Sequence, residues 1–186
     1  LVLARLLVPA DFGLVAMAMS VIAVLDLLTS FSFDVALIQK ANLRREHYDT
    51  AWSLHFLLSC SCSLLVVAIA YPTAAFYGEP RLFEVMLALA LAWFIAGFEN
   101  VGIVDFRRLL NFRREFYFLA IRRALSFAIT IGLTFTLRSY WALVIGTVAH
   151  RLIGVLLSYA MHPYRPRFSF ATARELFSFS GWLVFN

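Results

Sequence analysis

Residues 105–115 read DFRRLLNFRRE (Asp105–Glu115), with Arg107, Arg108, Arg113 and Arg114 gathered between two of the most apolar stretches of the chain. A basic cluster suits nucleic acid, an acidic substrate or the cytoplasmic rim of a membrane, and its flanks decide among these. Leu82–Val104 lies on one side and Phe116–Leu137 on the other, each long enough for the roughly 20 apolar residues a spanning helix needs. The whole chain agrees: of its 186 residues, 62% are hydrophobic and 15% charged, against about 45–50% and about 25% in soluble domains. In a soluble chain the net charge of +5 and the pI of about 9.6 would point to nucleic acid. Here the basic residues come in bursts between apolar runs and no polar domain carries a binding face, so no nucleic-acid partner is expected. The expected solvent is lipid.

Five stretches are long and apolar enough to span. They are Phe12–Gln39, Thr50–Tyr71, Leu82–Val104, Phe116–Leu137 and Tyr140–His162. Leu1–Val8 reads as the end of an earlier helix and Arg174–Asn186 as the start of a later one, so the chain looks like a piece of a longer protein. The links are short. PADFG (Pro9–Gly13) is a tight turn, with Pro9 stopping one helix and Asp11 able to cap the next. In YPTAAFYGEPRL (Tyr71–Leu82), Pro72, Gly78 and Pro80 read as breakers. Links this short make successive helices antiparallel neighbours.

Charge then orients the bundle, because cytoplasmic loops are enriched in Lys and Arg. Alternate links are basic: Lys40, Arg44 and Arg45 in one, the four arginines of 105–115 in the next, and Arg165, Arg167 and Arg174 in the third. These links are expected to face the cytoplasm, with the Arg107, Arg108, Arg113 and Arg114 cluster anchoring the chain to anionic headgroups. On one continuous helix its two Phe-Arg-Arg triplets would point about 120° apart. Runs that are apolar all round also suit buried helices of a large soluble protein, but the alternation of charge argues against that.

A charge near the centre of a span costs about 2.5–3.5 kcal/mol on insertion scales, so its position is informative. Asp26 and Arg151 lie near the middle of their runs, and Glu99 about two-thirds of the way along its own. Asp34, Arg122 and Arg123 sit nearer the basic ends, where a snorkelling stem makes them cheaper. Asp26 and Asp34 are about 80° apart on a helix, so both can face one interior. Asn100 stands beside Glu99, and Gly102 offers a close backbone approach. Two readings stay open. In the structural one, Asp26 or Glu99 pairs with Arg151 and ties helices together. In the functional one, these groups line a polar cavity for an ion or an anionic substrate. His55 reads as a hydrogen-bonded packing residue.

No catalytic triad, zinc-protease HExxH, paired CxxC or phosphate loop is present in the sequence, and no enzymatic activity, cofactor or metal is expected. Cys60 and Cys62 point to nearly opposite faces of a helix, which suits neither a shared metal nor a mutual disulfide.

The segment Leu3–Gln39 carries Arg5-Leu6-Leu7, then Pro9, then Asp11-Phe12-Gly13, and closes on Ala36-Leu37-Ile38-Gln39. With AAFYGEPRL (Ala74–Leu82), ENVGIVDFRRLLNFRREF (Glu99–Phe116) and RPRFSFATARELFSFSGWL, it resembles, block by block and in order, bacterial oligosaccharide and polysaccharide flippases of the multidrug/oligosaccharidyl-lipid/polysaccharide exporter superfamily. Ser32 stands where many relatives have glycine.

The resemblance implies an all-α polytopic membrane protein of the bacterial inner membrane, built from two six-helix lobes. Residues 1–162 would be the first lobe, 163–173 the inter-lobe linker on the cytoplasmic side, and 174–186 the start of the seventh helix. It further implies movement of a lipid-linked oligosaccharide or polysaccharide by alternating access. Arg151, Arg122 and Arg123 would hold the anionic head, and Asp26 and Glu99 would tune them or carry a coupling ion. Expected partners are the lipid-linked glycan, membrane lipids, and polysaccharide polymerase and export machinery. Alternatives are an ion-coupled small-molecule or drug exporter of the same superfamily and a non-transporting subunit of a polysaccharide export complex. A membrane-embedded glycan-processing enzyme is disfavoured because every outward link is short.

Overall fold

The computed structural model describes residues 9–29, 37–38 and 43–173, the side chains of Pro9 and 24–29 excepted. Among these residues every regular element is helical. α1 is Pro9–Thr29, α2 Arg45–Tyr77 and α3 Arg81–Ala96; a 3-10 turn at Val101–Val104 leads into the short α4, Asp105–Arg108; α5 is Phe112–Leu137 and α6 Trp141–Met161. α2, α5 and α6 are each long and apolar enough to cross a membrane, and α3 with the bent segment after it makes a fourth candidate. The molecule is an all-α polytopic membrane protein.

The helices pack as the short links require. α2 lies against α3, α3 against α6 and α6 against α5, with α1 resting on α3 and α2. One core fills the end away from the basic links. There Leu14, Ala18 and Ile22 of α1 meet Val66, Ala70 and Ala74 of α2, Leu82, Val85, Met86 and Leu89 of α3, and Tyr140 and Val144 beside and on α6. A smaller cluster of Leu37, Ala51, Trp52, Leu54, Val101 and Val104 lies at the basic end. α5 turns Phe127, Leu125, Ile129 and Phe135 outward, an apolar face suited to lipid tails. On α5, Ser126, Thr130 and Thr134 return their hydroxyl protons to the carbonyls one turn back, at 2.7, 2.8 and 2.7 Å. These polar groups therefore ask nothing of the bilayer.

Four expectations about the elements need correction. Asp11 lies inside the first turn of α1 instead of capping it, and Pro9 opens that turn, where a proline lacking an N–H loses nothing. α2 starts at Arg45 and runs through Pro72 to Tyr77. Pro72 forfeits one backbone bond but not the helix. The stop is Gly78, at a φ of 64° that glycine adopts without a Cβ penalty. The span expected over Leu82–Val104 is broken: α3 ends at Ala96 and the following segment turns away by 71°. Finally, the two Phe-Arg-Arg triplets do not share a helix. A turn at Leu109–Asn111 separates α4 from α5, with Leu110 at a φ of 54°. Gln39, Asp34, Leu1–Val8 and Arg174–Asn186 lie outside the described residues.

Candidate functional site

The site forms where α3 breaks. After Ala96 the chain turns through residues 97–100, and Asn100 restarts it by accepting from the N–H of Gly102 at 2.9 Å through its side-chain oxygen. Asn100 is fully buried. Its amide nitrogen donates to Tyr164 O at 2.8 Å and its backbone N–H to Ser158 Oγ on α6 at 3.0 Å. A buried polar side chain is tolerated when it is satisfied in this way.

Glu99, next in the chain, faces α5. Its Oε1 accepts from Nη1 of Arg122 at 3.1 Å, and the two side chains are only 18% and 12% exposed. Of the two carboxylates offered as partners of Arg151, Glu99 is thus paired with Arg122, and the side chain of Asp26 lies outside those described. Arg122 also donates from Nε to His150 O at 3.3 Å and lies over the Phe118 ring, 5.9 Å from its centroid. Gly154 of α6 makes room for it, because a Cβ there would stand 2.6 Å from the guanidinium carbon. Beside it, Ser126 gives its one proton to Arg122 O at 2.7 Å. Its 3.0 Å contact with Nδ1 of His150 therefore puts the imidazole proton on Nδ1. Arg122 is thus held from three helical segments: the break, its own helix and α6.

Around this pair lies a cavity of about 230 Å³ lined by His55, Glu99, Asn100, Val101, Ile103, Arg107, Phe118, Leu119 and Arg122. It is smaller than the roughly 300–1,000 Å³ typical of pockets for drug-sized ligands, so it suits a single charged or sugar group. His55 donates from Nε2 to Ala96 O at 3.3 Å, a second donor to a carbonyl that also accepts from the N–H of Glu99 at 3.0 Å where α3 ends. It packs as expected and also forms part of the wall. Arg107, expected among the anchoring residues, is on the cavity wall and is paired with Glu115 through Nε.

The remaining candidates are spread out. Arg151 lies over the Trp93 ring at 5.6 Å and is not on the wall of this cavity. Arg123 is exposed on another face of α5. Arg113 stacks over Tyr117 at 5.8 Å, Arg114 is exposed and Arg108 is half-buried beside α4's end. Asp26 lies on α1, with its side chain outside those described.

A second polar network adjoins the break and was not foreseen. Asp105 accepts from Tyr48 OH at 2.5 Å and faces Nε2 of His162 at 3.4 Å. His162 Nδ1 accepts from the N–H of Tyr164 at 3.2 Å, which leaves the proton of the neutral ring on Nε2, toward Asp105. Gly102 admits that ring; a Cβ would come within 2.2 Å of His162 Nδ1. The group that makes the close approach expected at the backbone of Gly102 is this ring. Burial holds the His162 pKa below its ordinary value, and Asp105 partly opposes this. Tyr164 donates to Asp49 Oδ1, and burial followed by this bond pushes its phenol well up. Asp49 and Asp105 sit inside basic links, and an acid kept among arginines was the available signal for them.

The sequence profile of the polysaccharide biosynthesis protein family matches residues 2–186. The chain is 25% identical over 175 residues to the succinoglycan biosynthesis transport protein ExoT of Rhizobium meliloti (strain 1021), covering 94% of this chain and 35% of that protein. It therefore spans about a third of the length of that curated relative. No solved structure matches it significantly.

Proposed function

The chain belongs to the polysaccharide biosynthesis protein family, and on that premise we propose that it is the first-lobe part of a flippase that carries a lipid-linked oligosaccharide or polysaccharide across the membrane by alternating access. It is a multi-pass bacterial membrane protein, and the inner membrane is the proposed location. Residues 1–162 are the proposed first lobe, 163–173 the inter-lobe linker, and 174–186 the start of the second lobe. The observation that carries the reading is the Glu99–Arg122 pair in a cavity at a broken helix. Discontinuous spans that leave polar groups near the membrane interior are how repeat-built transporters make binding sites. In that reading Arg122, with Arg107 on the same wall, attracts the anionic head of the substrate, and Glu99 holds Arg122 in place until the substrate arrives. Arg151 and Asp26 act elsewhere along the path, and Arg123, Arg108, Arg113 and Arg114 anchor the basic end to headgroups. Catalysis is not part of this assignment.

The test uses the full-length protein in vesicles with a fluorescent lipid-linked sugar. Arg122→Ala is expected to abolish transfer between leaflets, while Arg123→Ala at equal protein level keeps it. Transfer unchanged by Arg122→Ala removes this cavity from the path. Loss of drug efflux with sugar transfer intact would identify a small-molecule exporter instead.

A further inference from the structure

After α6 the chain runs from His162 to Phe170 without regular secondary structure and lies along the first turns of α2. The contact is made largely by its backbone. The N–H of Arg167 donates to Asp49 Oδ1 at 3.1 Å, that of Ser169 to Ser53 Oγ at 3.0 Å, and that of Thr172 to Thr50 Oγ1 at 3.4 Å. Asp49 and Ser53 are one helical turn apart with Thr50 beside them, so a single face of α2 receives the segment. The receiving side chains are buried, yet Phe168 and Phe170 on the incoming segment remain 64% and 52% exposed. Phe168 meets Trp52 edge-on at 4.9 Å and Phe56 at 5.6 Å between centroids, and Tyr164 lies 5.6 Å from Tyr48, without Phe168 being enclosed. The segment is therefore held by polar bonds and little apolar burial, the combination found where local opening costs least.

It is also tied to the cavity. Tyr164 O accepts from the side chain of Asn100, which lines the cavity beside Glu99. We propose that residues 162–173 are a releasable strap: docked on α2, it fixes Asn100 and with it the Glu99–Arg122 arrangement, and it lifts from α2 when the cavity rearranges to pass its cargo. The coupling to cargo rests on the transport reading, whereas the docking and lifting do not.

Two measurements on the full-length protein in lipid nanodiscs test this. In hydrogen exchange, peptides covering 163–173 should exchange faster than those of α2 and α3. Asp49→Asn should speed them about tenfold more, in line with the loss of a charge-assisted bond, and leave α3 unchanged. Protection equal to that of α2, or no response to Asp49→Asn, overturns the strap. In the second, Ser53→Cys and Ser169→Cys are combined with the native cysteines replaced by serine. Oxidation should bridge strap to helix and stop lipid-linked sugar transfer, and reduction should restore it. Failure of the bridge to form in correctly inserted protein overturns the docking, and a bridged protein that transfers at the reduced protein's rate overturns the release. If the wild-type protein transfers nothing, the transport reading has failed, and the exchange result still decides the strap.

Discussion

The two ends of the bundle are built by different physics. Away from the basic links, α1, α2, α3 and α6 meet in a core of Leu, Val, Ala and Met that leaves little for a partner to change. At the basic end the apolar cluster is small, and order comes from Asp49, Asn100, Asp105, Glu99 and Arg122 with their partners. Apolar contacts lose free energy gradually as they separate. A hydrogen-bonded network has discrete alternatives, because each donor can exchange one acceptor for another or for water. The first end is suited to hold and the second to switch.

Four experiments would break or sharpen that contrast. The largest effect is expected from Arg122→Ala, which strips a mostly buried carboxylate of its partner and should cost about 3–5 kcal/mol. Removing both charges in Glu99→Gln/Arg122→Met should recover most of it in thermal unfolding. If the single and double variants are equally unstable, the pair is not what holds that end. At the opposite end Met86→Ala should cost about 2–5 kcal/mol by leaving a cavity, while exchange in 163–173 stays as it was. A change there would mean that the two ends are not independent.

Next comes Gly102→Ala, whose methyl group displaces His162 and should cost about 1–3 kcal/mol as overpacking does. Adding His162→Ala to it should restore part of the loss, and no restoration would assign the cost to backbone. The smallest effect is that of pH. The folded-state pKa of His162 is depressed, so its contribution to stability is fully present above the ordinary value of about 6.5. It is lost as pH falls through the folded value, because the unfolded chain binds the proton first. Wild type should therefore lose more thermal stability than His162→Gln on acidification below about 6.5, and parallel curves would contradict the assignment.

Much of the fold was legible in the residues. Apolar runs of spanning length, short links and alternating arginine bursts specify helices, their order and their antiparallel packing, because lipid allows no other way to satisfy the backbone. The candidate site was legible in part. Glu99 and Arg122 stood out as charges in apolar runs, and Asn100 and Gly102 as neighbours of one. Their partners did not stand out. Glu99 had equal reason to choose Arg151, since which helices touch is not written into either run. Arg107 looked like an anchor until α4 carried it to the cavity wall.

The sequence by itself determined that this is a bundle of apolar helices with one basic end, because hydrophobic length and charge asymmetry are local properties that any bilayer reads. Only the tertiary structure decided that α3 breaks at residues 97–100, that Arg122 is the partner of Glu99, and that residues 162–173 lie on α2. Each of these depends on a buried polar group finding its donor or acceptor on a distant segment, as Asn100 does on Ser158 and Tyr164. That pairing exists only once the helices have packed.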